Sequence, residues 1–208
     1  MLQAIIEQSL AKLPIPKRMR WGDSSVEFVR PVHWLVLLHG SEIIDAEVLG
    51  VKSSRETFGH RFHANGALSL HEADGYAEQL RSDAFVIADL EERKNIIRQQ
   101  VEKAANDVGG QVVVDEDLLQ EVAGLVEWPV AVLGDFDEEF LDVPSEALIK
   151  TMQDNQKYFA VLDKDGRIKP HFITISNIDS KTPEKVKAGT ERVIRPRFAD
   201  AAFFWKQD

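Results

Sequence analysis

The chain of 208 residues contains no cysteine. Disulfides, iron–sulfur clusters, thiolate zinc sites and a cysteine nucleophile are therefore excluded. No apolar run approaches the roughly 20 residues that a membrane helix requires, and residues 1–20 are amphipathic without the order of a signal peptide. These absences predict a cytoplasmic protein with no membrane partner, and a hydrophobic content of 44% suffices for a buried core.

Motifs of nucleotide-binding and hydrolytic enzymes are also missing. The sequence has no Walker A loop, no dinucleotide-binding glycine pattern, no nucleophile elbow and no zinc-protease motif. The acidic stretch 135–139 lacks the spacing and the glycine of an EF-hand loop, which favours a solvated acidic face over a magnesium site. We therefore predict no catalytic residue and no metal site in this chain.

The only histidine pair at a metal-compatible spacing is His60 and His63. On a helix this spacing could hold a metal ion, given a third ligand. The local sequence favours a strand or a turn, where residues three apart point to opposite faces. A structural role is therefore favoured, with contacts from His60 and Arg61 to an anion or to the backbone as the next alternative.

Charge is distributed unevenly along the chain. The net charge of −10 counts against a general nucleic-acid binder. Residues 111–149, however, hold eleven acidic residues and no Lys or Arg. Because this acidic block carries −11, the rest of the chain carries +1, and other faces can still be locally basic.

Hydrophobic periodicity predicts an α+β fold with a mixed or antiparallel sheet and packed helices. In chain order, the patterns predict a helix over 1–13, β structure over 26–62, helices capped by Asp89 and Asp115, a strand over 129–133 and a helix over 144–152. We expect a single domain over 1–208, with a possible division into a β-rich lobe over 1–70 and a helical/β lobe over 71–208.

Two features are predicted near the end of the chain. The sequence Asp163 to Gly166 separates two apolar runs and predicts a hairpin of strands over 157–162 and 169–176. A helix then begins at Thr182, and Pro196 is predicted to open a second helix, since the residue before a proline is pushed out of the helical region. The apolar face of that second helix comprises Phe198, Ala201, Ala202 and Trp205, and its uncapped end predicts a helix cut from a longer protein.

The segment from Thr151 to Phe159 is dense in side-chain donors and acceptors. It could form a ligand pocket or an RNA-facing loop, with Lys157 on a phosphate and Tyr158 or Phe159 stacked on a base. Alternatively, it is a polar helix end followed by a core strand. The residues of the possible pocket are Thr151, Gln153, Asn155, Gln156 and Tyr158.

Three arginines flank Pro196, namely Arg192, Arg195 and Arg197. Arginine is the side chain best shaped for bidentate contact with phosphate, and residues 181–208 carry seven Lys or Arg against four acids. Alternatively, these arginines form internal ion pairs with the acidic block. With Arg61 and Lys157, they make up the candidate RNA-binding set.

Several strings of residues together resemble one protein family. The most specific are LVEWPVAVLGDFDEEFLDVPSEALI (125–149), TMQDNQKYFAV (151–161) and ERVIRPRFADAAFFW (191–205). The chain resembles the β subunit of the bacterial α2β2 glycyl-tRNA synthetase over nearly its whole length. It departs from the usual pattern at Asn155, where a His is expected, and at Thr190, where an Asn is expected, so no family role is assigned to these two positions.

The resemblance implies a role in ATP-dependent charging of tRNA with glycine. It implies that the catalytic site, ATP and Mg²⁺ belong to the α subunit, so that this chain needs no cofactor and alone activates no glycine. The implied partners are the α subunit, the tRNA for glycine and the remaining β-subunit domains. The chain is expected to be an internal fragment similar to the B3/B4-type module of phenylalanyl-tRNA synthetase, acting in RNA binding, in protein scaffolding or as a residual small-molecule pocket.

Overall fold

A computed structural model describes residues 2–207. The chain divides into two compact units, the first ending at Val86 and the second beginning at Ile87. The helix over 76–84 belongs to the first unit. Within the described residues, no helix combines the length and the apolar character needed to cross a membrane.

The first unit consists of short strands between two helices. Helix α1 (Leu2–Lys12) precedes the strands and helix α2 (Tyr76–Ala84) follows them. The strands are β1 (Met19–Arg20), β2 (Glu27–Phe28), β3 (Leu35–Val36), β4 (Leu38–His39), β5 (Glu42–Ile43), β6 (Glu47–Val48), β7 (Val51–Ser54), β8 (Glu56–Phe58) and β9 (Ala67–Ser69). Strand β3 runs parallel to β7, whereas the pairs β1–β2, β4–β5, β6–β7 and β8–β9 are antiparallel. Turns at glycines with positive φ, such as Gly40 and Gly50, keep these strands short.

Helix α2 is anchored to the strands of its own unit. The side-chain amide of Gln79 donates to the carbonyl of Ser69 (2.9 Å) and its oxygen accepts from the backbone N–H of His71 (3.1 Å). Leu80 and Ala84 are buried. These contacts explain why the boundary between the units follows α2.

The second unit has three layers, with a sheet between two sets of helices. Its elements are α3 (Leu90–Asp107), α4 (Glu116–Leu125), β10 (Val130–Asp135), a 3-10 helix (Glu138–Asp142), α5 (Ser145–Lys150), a π-helix (Thr151–Gln156), β11 (Phe159–Leu162), β12 (Ile168–Ser176) and α6 (Pro183–Trp205). The sheet is antiparallel in the order β10–β12–β11. Adjacent residues point to opposite faces, so Ile173 joins the core under α3 and α4, whereas Phe172 joins the core on the α6 side. The predicted α+β class is confirmed.

Local capping and turn chemistry operate as the sequence predicts. The carboxylates of Asp89 and Asp115 accept from the backbone N–H groups of Glu92 and Leu118, each at 2.8 Å. At the hairpin between β11 and β12, the Asp163 carboxylate accepts from the backbone N–H groups of Asp165 (2.8 Å) and Arg167 (2.9 Å). The hydrogen bond from the Arg167 backbone lowers the pKa of Asp163.

The prediction of a helix break at Pro196 is wrong. Helix α6 is continuous, with Pro196 exposed inside it. The proline removes one backbone hydrogen bond, but Ile194 and Phe198 on either side are both 0% exposed. These two residues are one turn apart on the same face, so their burial holds the two halves of the helix in line. The predicted apolar face is confirmed at Phe198 and wrong at Trp205, which is 52% exposed.

Candidate functional site

A groove of about 660 Å³ lies in the second unit, between α6 and the residues that follow β10. Phe136 and Phe140 contribute apolar surface to it, and the other lining side chains are mostly charged. Those charged residues are Asp135, Asp137, Lys187, Glu191, Arg192 and Arg195. Three cations therefore face three carboxylates in one groove, and the positions of its cations depend on how α6 is held against β10.

Asp135 is the centre of the ion-pair network that holds α6 in place. Its two carboxylate oxygens contact His171 Nδ1 on β12 (2.6 Å) and Lys187 Nζ on α6 (2.5 Å). Its backbone N–H donates to the Glu191 carboxylate (2.9 Å), and Glu191 also lies 3.6 Å from Lys187. Contacts of Asp135 with Lys187 and Glu191 thus fix the N-terminal half of α6 against the sheet, and the contact with His171 ties the same carboxylate to β12.

The charge state of this network follows from those contacts. Partial burial raises the pKa of Asp135, but hydrogen bonds from Lys187 and His171 outweigh burial and hold that pKa below its usual value. The hydrogen bond to Asp135 raises the pKa of Lys187. Lys187 is therefore charged but already paired with carboxylates, and it is a poor candidate for a ligand contact.

The three candidate arginines of α6 differ in their surroundings. Arg195 pairs with Asp137 at 3.1 Å, and its side chain is 69% exposed. Arg192 and Arg197 are also exposed, and neither forms an ion pair within residues 2–207. The structure thus brings Arg192 and Arg195 to one groove, and it leaves Arg192 and Arg197 available to an external anion.

The two remaining candidate cations lie elsewhere. Lys157 contacts Glu121 on α4 at 2.9 Å, so it belongs with the internal ion pairs. Arg61 is exposed in the first unit and forms no ion pair within the described part of the chain. The predicted RNA-binding set is therefore distributed over both units, and its members are not equivalent.

The polar segment 151–158 ends in the core. Residues Thr151–Gln156 form a π-helix, and the Thr151 hydroxyl donates to the carbonyl of Ala147 (2.8 Å). Tyr158 stacks on Phe172 with ring centroids 4.8 Å apart, and burial raises the pKa of its phenol. Phe159 is 1% exposed. The alternative in which Tyr158 or Phe159 stacks on a base is wrong, because both rings are needed in the core.

The polar side chains of this segment remain at the surface. Asp154 and Asn155 are exposed, whereas Gln153 and Gln156 are half-buried. The five residues predicted as a pocket do not line the groove beside α6. Lys157 closes the π-helix with a φ of 60°, a left-handed conformation that is unusual for a residue other than glycine.

The histidine pair His60 and His63 makes packing and backbone contacts within the first unit. His60 is 1% exposed, and its Nδ1 accepts from the backbone N–H of Phe62 (3.2 Å). The His60 and His63 rings stack with centroids 4.6 Å apart. No cluster of three metal-ligating side chains occurs in residues 2–207.

Sequence reasoning missed the Asp135 network. Asp135, His171 and Lys187 are far apart in sequence, and no local motif joins them. The register of β10 against β12 places Asp135 directly opposite His171, so a correct pairing of these two strands would have brought the two side chains together. From the sequence without the strand register, only the i, i+4 pair of Lys187 and Glu191 on one helix can be predicted.

Comparison with known proteins agrees with the resemblance carried by the specific strings. A family described as "Glycyl-tRNA synthetase beta subunit" matches residues 1–208. Proteins named "Glycine--tRNA ligase beta subunit" from Hahella chejuensis and Chromohalobacter salexigens are each 55% identical over 208 residues. The protein of that name from Azotobacter vinelandii is 52% identical over the same length. Each match covers 100% of this chain and 30% of the relative.

These matches define the class of protein as an aminoacyl-tRNA synthetase subunit. The family match and the identities both extend over the whole chain. The chain belongs to the glycyl-tRNA synthetase beta subunit family, and it spans about 30% of the length of the curated relatives that it matches.

Proposed function

We propose that this chain contributes to tRNA recognition and to subunit architecture in an enzyme that charges tRNA with glycine. The names of its relatives support this role. In this proposal the chain carries no catalytic group, and the α subunit supplies the catalytic site, ATP and Mg²⁺. In the same proposal the enzyme works in the cytoplasm. The fold of this chain is proposed to be a B3/B4-type module.

The observation that carries the RNA-binding role is the availability of the α6 arginines. Arg192 and Arg197 are exposed and unpaired within the described residues, although the chain as a whole is strongly acidic. Exposed Arg195 can exchange the Asp137 carboxylate for a phosphate, since surface ion pairs contribute only about 0–1 kcal/mol. Guanidinium groups bind phosphate oxygens in a bidentate manner, so this part of α6 is suited to the RNA backbone.

Removing these charges should reduce the salt dependence of RNA binding. We expect the double variant Arg192→Gln, Arg197→Gln to bind the tRNA for glycine more weakly, with a log–log salt slope lower by about 0.9 for each duplex phosphate that is no longer neutralised. The measurement is a titration of labelled tRNA with the 208-residue chain at several salt concentrations.

The matched control is Lys164→Gln, which removes one exposed charge from the hairpin of the same unit. It should leave the salt slope close to that of the unaltered chain. Identical slopes for the double variant and the unaltered chain would show that Arg192 and Arg197 neutralise no phosphate.

A second candidate function, protein docking, rests on a separate observation. Phe203 and Phe204, near the end of α6, are 57% and 66% exposed, and internal ion pairs hold Lys157 and Arg195. Here the chain would orient neighbouring β-subunit regions and dock the α subunit. Replacing Phe203 and Phe204 with serine would then impair assembly of the enzyme while leaving the RNA affinity of the chain unchanged.

A further inference from the structure

The first unit presents aromatic rings to solvent. Trp34, Phe58 and Phe62 are 43%, 46% and 70% exposed. The Trp34 and Phe58 rings contact each other, with centroids 4.8 Å apart. Large aromatic side chains are usually buried because each removes about 150–250 Å² from water, so a group of exposed rings indicates an interaction surface.

The Trp34 ring is held in place by a specific hydrogen bond. Its Nε1 donates to the Thr57 hydroxyl at 3.1 Å, and Thr57 is only 5% exposed. Thr57 and Phe58 are neighbours on β8, so the bond and the ring contact fix the indole from adjacent positions. An indole that is both fixed and half exposed needs little ordering when a ligand binds.

Phe62 lies on the turn that follows β8, and this turn has a rigid base. Its backbone N–H donates to buried His60, whose ring stacks on His63. His63 in turn contacts the ring of Phe85 at a centroid distance of 5.3 Å. The contacts among His60, His63 and Phe85 therefore order the turn that carries the exposed Phe62 ring. Phe62 is four residues beyond Phe58.

Acidic residues are few around the segments that carry these rings, with Glu56 on β8 as the one acid on a strand that bears them. Residues 28–41 and 57–71 contain no Asp or Glu, although the whole chain has 35 acidic residues. They contain Arg30, Arg61 and five of the six histidines. Arg61 is exposed and forms no ion pair within residues 2–207. Exposed Glu56 shares β8 with Phe58, so it is Arg61, next to Phe62 in the chain and without an internal ion pair in residues 2–207, that suits these rings to a polyanion carrying flat apolar groups.

We propose that Trp34, Phe58 and Phe62 form a stacking surface for unpaired nucleotides of RNA, with Arg61 contacting the adjacent phosphate. Every base has a π-face, so such stacking tolerates many sequences, and arginine adds a cation–π or phosphate contact. Bases in a duplex are already stacked and cannot reach these rings. The inference rests on the proposed role in RNA binding, but it concerns a separate surface from the α6 groove.

Binding of a labelled oligouridylate to the 208-residue chain tests this surface. Oligouridylate is suitable because its bases stack weakly on one another, and a blunt RNA duplex of matched length is the second probe. Phe62→Ala is the primary variant, since a ring that is 70% exposed contributes little to folding. Trp34→Leu, which keeps apolar bulk, is the second. The control is Phe204→Ala, a phenylalanine that is 66% exposed in the other unit.

We expect Phe62→Ala and Trp34→Leu each to weaken oligouridylate binding at least about fivefold, as expected for loss of one stacked base. The salt slope and the affinity for the duplex should be unchanged, and Phe204→Ala should match the unaltered chain. The α6 arginine variant should have the opposite pattern, with a weaker duplex affinity and a lower salt slope.

Three results would overturn the stacking surface. The first is that the unaltered chain does not bind oligouridylate. The second is that Phe62→Ala, Trp34→Leu and the control Phe204→Ala all bind oligouridylate with equal affinity. The third is that Phe62→Ala and Trp34→Leu change only the self-association of the chain, measured by sedimentation. The last result would identify a protein-docking face instead. If duplex binding still falls in the arginine variant, the proposed RNA role of α6 stands while the stacking surface fails.

Discussion

Replacing Phe172 with alanine should lower the free energy of unfolding of the second unit by about 3–5 kcal/mol. Phe172 is 0% exposed at the centre of β12, and its ring stacks on Tyr158 with an interplanar angle of 7°. The helices on the α6 side rest on the sheet at this point, so the cavity could close only by moving an entire layer. Urea denaturation followed by circular dichroism measures the change.

The control for Phe172→Ala is Phe204→Ala, which removes a ring that is 66% exposed. Its effect should stay within about 0.5 kcal/mol, as is usual for surface substitutions. A loss below about 1 kcal/mol for Phe172→Ala would show that this ring does not support the α6 side of the sheet.

Gly134 provides a second test of the same packing. It pairs with Phe172 across β10 and β12, and a Cβ at position 134 would clash with the Phe172 ring. Gly134→Ala should therefore cost about 1–3 kcal/mol in the unaltered chain through overpacking. The same substitution combined with Phe172→Ala should cost much less, because the ring that it would strike is gone. Additive effects in this double-mutant cycle would contradict the contact.

The second large effect is expected at Phe198, which anchors α6. Phe198 is 0% exposed and contacts the edges of Phe136 and Phe140 at centroid distances of 4.9 and 5.6 Å. Phe198→Ala should cost about 3–5 kcal/mol by leaving a cavity. It should also weaken RNA binding under native conditions, since the groove cations are positioned by the same helix.

Phe203→Ala is the control for Phe198→Ala, since it lies on the same helix but is 57% exposed. Denaturation and RNA titration should be measured on both variants. If Phe198→Ala loses stability yet binds RNA as the unaltered chain does, the groove beside α6 is not the RNA contact.

The elements that depend on neighbouring residues were predictable from the sequence. Asp89 and Asp115 cap their helices because a short carboxylate can reach the backbone N–H three residues on. The hairpin at Asp163 to Gly166 follows from local turn chemistry in the same way. These signals need no information about distant parts of the chain, and all were confirmed.

The features that depend on distant residues were not predictable. Local preference breaks a helix at Pro196, but burial of Ile194 and Phe198 outweighs it. Local polarity leaves open both a ligand loop and a polar helix end before a core strand, and it is the packing of Tyr158 on Phe172 from another strand that distinguishes them. Asp135 on β10 and Lys187 on α6 contact each other although they are 52 residues apart in the sequence. Tertiary packing decides each of these cases.

Glycine activation and tRNA charging, measured side by side, test the central proposal most directly. The enzyme should be assembled with a full subunit that carries Arg192→Gln and Arg197→Gln. We expect kcat/KM for the tRNA to fall roughly tenfold, mainly through KM, because losing two exposed charge contacts of about 0.7 kcal/mol each removes about 1.4 kcal/mol of binding free energy. Glycine-dependent ATP–pyrophosphate exchange should be unchanged, and the 208-residue chain alone should show none. Unchanged charging, or exchange that falls in parallel with charging, would contradict a role in tRNA recognition separate from catalysis.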